Sequence, residues 1–245
     1  GGIAAYKTAY LVSALSKTEA DVNVIMTENA CEFISPLVFE TLTENKCYVD
    51  TFDRNFKFDV EHISLAKKAD IFMIAPATAN VIAKIANGIA DDMLTTTFLA
   101  SKCKKIVSPA MNTAMFENQI TQDNIAKLKK YGIGVVEPQN GLLACGDTGA
   151  GKMPEPDFLF DVIEREIARE KDMLGKKVLV TAGATMESLD PVRFLTNHSS
   201  GKMGFAIAKE AMLRGAEVTV VKANTTAEIP NFVNVVEVLS ASDMF

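Results

Sequence analysis

Residues 141–153, GLLACGDTGAGKM, place Cys145 in a stretch with four glycines, where a cysteine has little to pack against. A thiol titrates near ~8.5 in model peptides, so at neutral pH it is mostly protonated and can donate a proton. The alternative, a small buried hydrophobic residue, is common for free cysteines but fits poorly in so polar a segment. The stretch therefore favours a cysteine with a chemical role.

His62 is the second candidate for chemistry, because it is one of only two histidines in the chain. It lies in HISLAKKAD, a segment that leads into an apolar stretch at residues 70–75. Histidine is the side chain whose ordinary pKa lies nearest neutrality, so it suits acid–base work. A structural histidine satisfied within the fold is the alternative, and the sequence leaves both open.

Small and polar residues follow several apolar runs. Thr78, Ala79 and Asn80 come directly after one run, and Asn112 follows Pro109 in SPAMNTAMF. Helix capping explains part of this pattern, and for Asn112 alone it is the simpler explanation. The segment GGIAAYK adds two glycines before a helix, where backbone N–H groups can approach a phosphate. A tight turn is the alternative there.

The elements that would position these residues alternate between strand and helix. Segments with helical spacing, such as AAYKTAYLVSALSK and FAIAKEAMLRG, separate short runs rich in Val and Ile. We predict strands at residues 22–26, 70–75, 105–108, 133–136, 177–181, 217–221 and 233–238. This alternation predicts an α/β fold with a parallel sheet covered by helices on both faces. Ligands then bind at the carboxyl ends of the strands, where the polar loops converge.

A domain boundary is expected near residue 177. The charged helical stretch DFLFDVIEREIAREKDMLGKK ends at Gly175, and VLVTAGAT then restarts the strand-and-glycine pattern. We therefore expect one domain at residues 1–177 and an incomplete second α/β domain at residues 178–245. Because the chain starts at a turn and stops as a helix would begin, we expect it to be a fragment that lacks a first strand.

The composition of the chain limits the classes of molecule that it is expected to bind. The chain has 245 residues, 48% of them hydrophobic, and a formal net charge of −6. Since no basic stripe is available to neutralise phosphates, nucleic acid and anionic membranes are not expected as partners. The four cysteines contain no C-x-x-C pair and no secretory signal is present, so we expect a cytoplasmic protein without a disulfide framework or a metal site.

Five motifs, in order, resemble those of the flavin-dependent cysteine decarboxylases: GGIAAYK, HISLAK, PATAN, PAMNTAMF and ACGDTGAGKM. A sixth, TAGATMESLDPVRFLTNHSSGKMG, resembles the opening of the ligase half of the bifunctional coenzyme A biosynthesis flavoproteins. The resemblance implies a flavodoxin-like or Rossmann-like fold and an FMN-dependent decarboxylation of phosphopantothenoylcysteine to 4′-phosphopantetheine. The second half would join phosphopantothenate and cysteine with CTP.

The resemblance also implies residue roles. His62 matches the catalytic histidine, Cys145 the proton-donating cysteine of a substrate clamp, and Asn112 the residue that binds the substrate carboxylate. Met111, Ala144 and Gly146 are expected to contact substrate beside them. The positions expected to contact FMN are Gly1, Gly2, Ile3, Thr27, Thr78, Ala79, Asn80 and Ala110. One departure is Phe116, where an indole or phenol ring is more usual.

The chemistry that the resemblance implies accounts for the cysteine. Decarboxylating a cysteine amide directly leaves a carbanion with nowhere to place its electrons, so the reaction needs a temporary electron sink, which flavin supplies. Oxidation of the thiol-bearing carbon to a thioaldehyde makes loss of carbon dioxide resemble that of a β-keto acid. The resulting ene-thiolate then takes back a hydride and a proton, the latter from Cys145, and the neighbouring glycines are expected to let the clamp close and open.

In the second half the resemblance assigns a catalytic role to Asn197, with CTP and Mg²⁺ as cofactors, and it implies a homo-oligomer, a trimer or a dodecamer, with flavin between subunits. Three alternatives stay open. A nicotinamide enzyme shares the α/β pattern but would need a full G-x-G-x-x-G. A peptidyl-cysteine decarboxylase shares the first five motifs. A non-catalytic flavin-binding regulatory subunit would typically lack His62 or Cys145, and this chain has both.

Overall fold

The computed structural model describes residues 1–51, 61–142 and 148–245, except that the side chain of Leu142 is left out. The described residues form two compact units, Gly1–Phe160 and Asp161–Phe245. The helices are α1 Ala5–Leu15, α2 Glu28–Cys31, α3 Pro36–Thr43, α4 Glu61–Lys68, α5 Ala79–Ala86, α6 Met93–Ala100, α7 Thr113–Glu117, α8 Gln119–Lys130, α9 Pro156–Ile167, α10 Lys202–Leu213 and α11 Ala241–Met244.

The strands are short, as expected for a sheet buried by helices. They are β1 Val24–Ile25, β2 Cys47–Tyr48, β3 Ile71–Ala77, β4 Lys104–Pro109, β5 Gly134–Val135, β6 Gln139–Leu142, β7 Thr148–Lys152, β8 Lys177–Ala182, β9 Glu187–Ser188, β10 Phe194–Leu195, β11 Glu217–Lys222 and β12 Asn234–Glu237. Each of the seven predicted strands overlaps one of these.

The first unit is built on parallel pairing in the order β3-β4-β5, with β1 and β2 forming a second parallel pair. Helix α5 covers β3 and β4 because its apolar residues recur at helical spacing, so that Val81, Ile82, Ile85 and Ala86 are buried in one cluster with Val107. Ile125 and Leu128 of α8 close the same cluster. The fold class is thus α/β with a parallel sheet packed by helices, as predicted.

Helix α1 contacts β3 outside that cluster, and the Thr8 hydroxyl donates to the carbonyl of Ala75 at 2.7 Å. Strands β6 and β7 form a separate antiparallel hairpin, which the sequence did not predict. The hairpin packs on α7, which follows β4. The consequence is that three loops and one hairpin meet near the carboxyl ends of β3 and β4.

The second unit has the parallel order β12-β11-β8, and α10 packs on β8 and β11. Phe205, Ala208 and Met212 of α10 bury their side chains against Val180 and Val220. Helix α9 ends at Ile167, earlier than the predicted end at Gly175. The Lys171 ammonium donates to the carbonyls of Arg165 and Leu213, which holds the following segment in turns.

Within residues 1–51, 61–142 and 148–245, no helix has both the length and the apolar character that crossing a membrane requires.

Candidate active site

A cleft of about 960 Å³ opens in the first unit at the carboxyl ends of its parallel strands. Its walls come from the turn before α1, the segment after β1, the loops after β3 and β4, and the end of β7. Small-molecule sites typically enclose ~300–1,000 Å³, so this cleft has room for a cofactor and a substrate together.

Ten of the predicted site residues line this one cleft. The eight positions expected to contact FMN are all among them, as are two expected to contact substrate: Gly1, Gly2, Ile3, Thr27, Thr78, Ala79, Asn80, Ala110, Met111 and Asn112. They are spread over residues 1–112 of the sequence and come together because parallel strands end at the same edge of a sheet.

The glycine turn before α1 packs closely on the start of α2. A Cβ on Gly1 would lie 2.4 Å from the carbonyl oxygen of Asn29, so no side chain fits there. A Cβ on Gly2 would have a methyl group of Thr78 as its nearest neighbour, at 3.9 Å. The backbone at Gly2 is therefore open to the cleft. The first N–H groups of α1 follow directly, an arrangement that suits a phosphate.

The polar side chains of the two strand-end loops also cap helices. The Thr78 hydroxyl accepts from the N–H of Val81 at 3.4 Å, and the Asn112 Oδ1 accepts from the N–H of Ala114 at 2.9 Å. The capping explanation considered for both residues is therefore correct. Capping also fixes the direction of the Asn112 amide, whose NH₂ group is a hydrogen-bond donor beside the cleft.

Two glycines of the β6–β7 hairpin allow it to approach the loop after β4. A Cβ on Gly151 would lie 2.3 Å from the carbonyl oxygen of Met111, and one on Gly149 would lie 2.7 Å from the Thr113 hydroxyl. The N–H of Met111 donates to the carbonyl of Gly151 at 3.1 Å. These two glycines serve close packing, whereas the glycines of this stretch were expected only to let the segment move.

Lys7 was not predicted, although it lies in GGIAAYK and lines the cleft. Its side chain is buried, and its ammonium donates to the carbonyl of Met153 at 2.9 Å and to Glu155 at 2.8 Å. The hydrogen bond from Lys7 holds the pKa of the Glu155 carboxyl below its usual range. The signal in the sequence is that Lys7 lies four residues before buried Leu11, on the apolar face of α1.

A second charged group lines the cleft at the turn before α6. Lys84 pairs with Asp91 at 2.7 Å and with Asp92 at 3.5 Å. The hydrogen bond to Asp91 raises the pKa of Lys84 and lowers that of Asp91. Asp92 also caps α6 in a capping box with Thr95, so this cluster is held by the fold.

The other predicted decarboxylase residues are not part of this cleft as described. His62 lies in the first turn of α4, a helix that packs on α6, and it is not among the lining residues. Cys145, Ala144 and Gly146 lie outside the described residues.

In the second unit, Asn197 lies in an exposed loop before α10, and its Oδ1 accepts from the N–H of Ser199 at 2.8 Å. Gly201 begins α10 with a φ of 79°, and Gly204 lies so close to β8 that a Cβ would be 2.7 Å from that of Ala182. The start of α10 therefore lies beside the glycine turn TAGAT, as in phosphate-binding turns of α/β proteins.

Comparison with known families matches both units. The family described as Flavoprotein matches residues 1–168, and the family described as DNA/pantothenate metabolism flavoprotein C-terminal domain matches residues 173–245. The coenzyme A biosynthesis bifunctional protein CoaBC of Bacillus subtilis is 45% identical over the whole chain, and that of Mycobacterium bovis is 42% identical. The chain spans 61% and 59% of the length of these relatives.

Solved structures resemble the first unit. A variant PPC decarboxylase in complex with pantothenoylaminoethenethiol is 31% identical, with a TM-score of 0.60, over 66% of this chain and 91% of that one. The FMN binding protein AtHal3 is 31% identical, with a TM-score of 0.58, over 66% of this chain and 90% of that one. The FMN-dependent cysteine decarboxylase SpaF is 32% identical, with a TM-score of 0.55, over 62% of this chain and 85% of that one.

Proposed function

Because the chain belongs to the flavoprotein family, we propose that its residues 1–177 bind FMN and decarboxylate phosphopantothenoylcysteine to 4′-phosphopantetheine, a step of coenzyme A biosynthesis. The observation that carries this proposal is that ten residues, which the resemblance assigns to cofactor or substrate, line one cleft. The match of residues 173–245 to a pantothenate-metabolism domain favours this substrate over a peptide.

The residues present suit FMN. The turn at Gly1 and Gly2 would offer backbone N–H groups to a phosphate, since the backbone at Gly2 is open to the cleft. Thr27, Thr78 and Asn80 would contact the rest of the cofactor from the strand ends. When bound, FMN supplies the two-electron acceptor and donor that a cysteine decarboxylation needs.

The substrate would lie between the cofactor and the hairpin. The NH₂ group of Asn112 would donate to the substrate carboxylate, and Met111 would contact the adjacent chain. A neutral amide holds a carboxylate without strongly stabilising the negative charge that decarboxylation must discharge. Cys145 would return the proton to the product, and Ala144 and Gly146 would enclose it.

His62 would act at the oxidation step, as a base or an orienting group. Since His62 is not among the described residues that line the cleft, we propose a homo-oligomer in which His62 of one copy faces the cleft of the next. This arrangement places the flavin between subunits, as in a trimer or a dodecamer of trimers.

Residues 178–245 are proposed to be the N-terminal part of a domain that joins phosphopantothenate and cysteine, with the domain boundary near residue 177. The turn TAGAT and the start of α10 would receive phosphates of CTP, and Asn197 would assist the exchange of the acyl-cytidylate with cysteine. Mg²⁺ would bind together with CTP, because in proteins this ion is commonly coordinated by substrate phosphates and water.

One experiment tests the decarboxylase. The purified chain is mixed with FMN, freed of excess cofactor and given phosphopantothenoylcysteine. We expect retained flavin absorbance, release of carbon dioxide and formation of 4′-phosphopantetheine, with free FMN as the control. A chain that retains FMN but releases no carbon dioxide would instead support the regulatory-subunit alternative, and one that retains no FMN would refute the cofactor as well.

A further inference from the structure

Three lysines line the described part of the cleft, and they differ in how closely their ammonium groups are paired with carboxylates. Lys7 is buried and donates to Glu155 and to a backbone carbonyl. Lys84 is held by two oxygens of Asp91 at 2.7 and 2.9 Å and lies near Asp92. Lys152 has a looser contact, 3.7 Å to Glu155, and its side chain is 39% exposed.

The charge around Lys152 is incompletely balanced. Glu155 is shared, because its Oε1 lies 2.8 Å from the Lys7 ammonium and 3.7 Å from that of Lys152. Within the ranges that the structure covers, Glu155 is the carboxylate recorded in an ion pair with Lys152. Among these described side chains one carboxylate therefore faces two ammonium groups, so together they carry a net positive charge at the end of β7 that can attract an anion.

The fold also fixes where this charge lies. Lys152 ends β7, next to Gly151, whose carbonyl accepts from the N–H of Met111 on one edge of the strand. The side chain extends to the other edge, over β6, where a Cβ on Gly141 would lie 3.4 Å from its Cδ and 4.0 Å from its Nζ. The Lys152 ammonium therefore lies over β6, on the side of β7 away from the loop that carries Asn112.

We propose that Lys152 binds the phosphate of the substrate and thereby selects phosphopantothenoylcysteine over its unphosphorylated form. The proposal rests on the proposed function, which places the substrate carboxylate at Asn112. Lys152 lies away from that end, where a permanent charge suits a phosphate that the reaction does not alter. An ammonium is a compact, strongly attracting partner for a phosphate monoester.

The test compares Lys152→Gln with Lys152→Arg, and uses Lys129→Gln as a matched control, because Lys129 pairs with Glu137 outside the cleft. For each FMN-loaded protein, KM is measured with phosphopantothenoylcysteine and with pantothenoylcysteine. Binding of 4′-phosphopantetheine and pantetheine, which lack the carboxylate, is measured by calorimetry.

We expect Lys152→Gln to weaken both phosphorylated ligands about ten- to hundred-fold, as for loss of a hydrogen bond to a charged group. The unphosphorylated ligands should change less than about two-fold, and Lys152→Arg should recover most of the affinity. Lys129→Gln should match the parent protein.

Several results would overturn the assignment. If Lys152→Gln weakens binding of both substrates equally and of neither product, Lys152 contacts the substrate carboxylate. If the variant lowers only the affinity for FMN, Lys152 contacts the cofactor. Unchanged binding, or equal loss for every ligand in both variants, would also remove the phosphate contact. Failure of the parent protein to decarboxylate refutes the proposed function instead, and the product-binding measurement still tests Lys152.

Discussion

His62 differs from the other candidate residues because it lies in α4 and not on the cleft wall. We predict that His62→Asn retains FMN with parental affinity, since the residues lining the cleft are unchanged, but does not reduce it when substrate is added. The measurement is anaerobic bleaching of flavin absorbance by phosphopantothenoylcysteine. His198→Asn, in the second unit, is the control. Parental bleaching by His62→Asn would remove it from the catalytic residues.

At the scale of single residues, the loop positions could be predicted and the charged ones could not. Thr78 and Asn112 were identifiable because polar residues directly after buried strands must lie at the sheet edge. Lys7 and Lys152 were missed because lysines are usually exposed, and only the fold shows which ones line a cleft. Their partner Glu155 lies 148 residues from Lys7, a separation that no local pattern indicates.

The β6–β7 hairpin gives a prediction at the scale of elements. Gly151 has a φ of 129°, and a Cβ there would lie 2.3 Å from a backbone oxygen. Gly151→Ala should therefore lower the free energy of unfolding by about 2–4 kcal/mol, from backbone strain and from displacement of the hairpin. Urea denaturation measures the loss.

The matched control for that variant is Gly88→Ala. Gly88 has a φ of 70° but nothing within 4 Å of a built Cβ, so it carries the conformational strain without the clash. Gly88→Ala should lower the free energy of unfolding by only about 1 kcal/mol. Equal losses in the two variants would mean that the close approach of β7 to Met111 contributes nothing to stability.

The same hairpin shows where prediction of elements from sequence stops. The seven long apolar runs each became a strand, because period and β-branched content signal them. Strands β6 and β7 have the sequences QNGL and TGAGK, which are too polar and too rich in glycine for an alternating pattern. β7 is positioned by its close contacts with the loop after β4. β2 has only two residues, too few for any period.

The cluster around β1 and β2 contains a buried thiol that links stability to pH. Burial, followed by the nearby Glu40 carboxylate, raises the pKa of Cys47 to about 12. In the unfolded chain a thiol titrates near ~8.5, so the stabilisation is complete below that pH and is lost as pH rises toward 12. The slope can reach about 1.4 kcal/mol per pH unit.

We therefore predict that the stability of the parent protein falls more steeply above pH 8.5 than that of Cys47→Ala. The variant should be less stable at pH 7, and the difference in stability should shrink by about 2–3 kcal/mol by pH 10.5. Urea unfolding at a series of pH values measures both, and ionisation of tyrosines and lysines cancels in the comparison. Parallel pH profiles would show that Cys47 does not ionise on unfolding.

At the scale of the whole molecule, the proposed chemistry needs two surfaces that the described residues of one chain do not bring together. The cleft carries Asn112, and His62 lies outside its lining in α4. If the active site forms between copies, each site takes its cleft from one copy and its histidine from the next. A site of that kind can be rebuilt from two variants that are each inactive alone.

We predict this complementation for His62→Asn mixed with Asn112→Asp. The aspartate keeps an oxygen to cap α7 but places a negative charge against the substrate carboxylate, so each variant alone should be inactive. After the two are unfolded and refolded together in equal amounts, a random oligomer should contain both intact groups at about one quarter of its sites. Carbon dioxide release near that fraction of the parental rate is the expected result. Because a site contained within one chain cannot be restored by mixing, inactivity at every mixing ratio would place His62 and Asn112 in the same subunit's site.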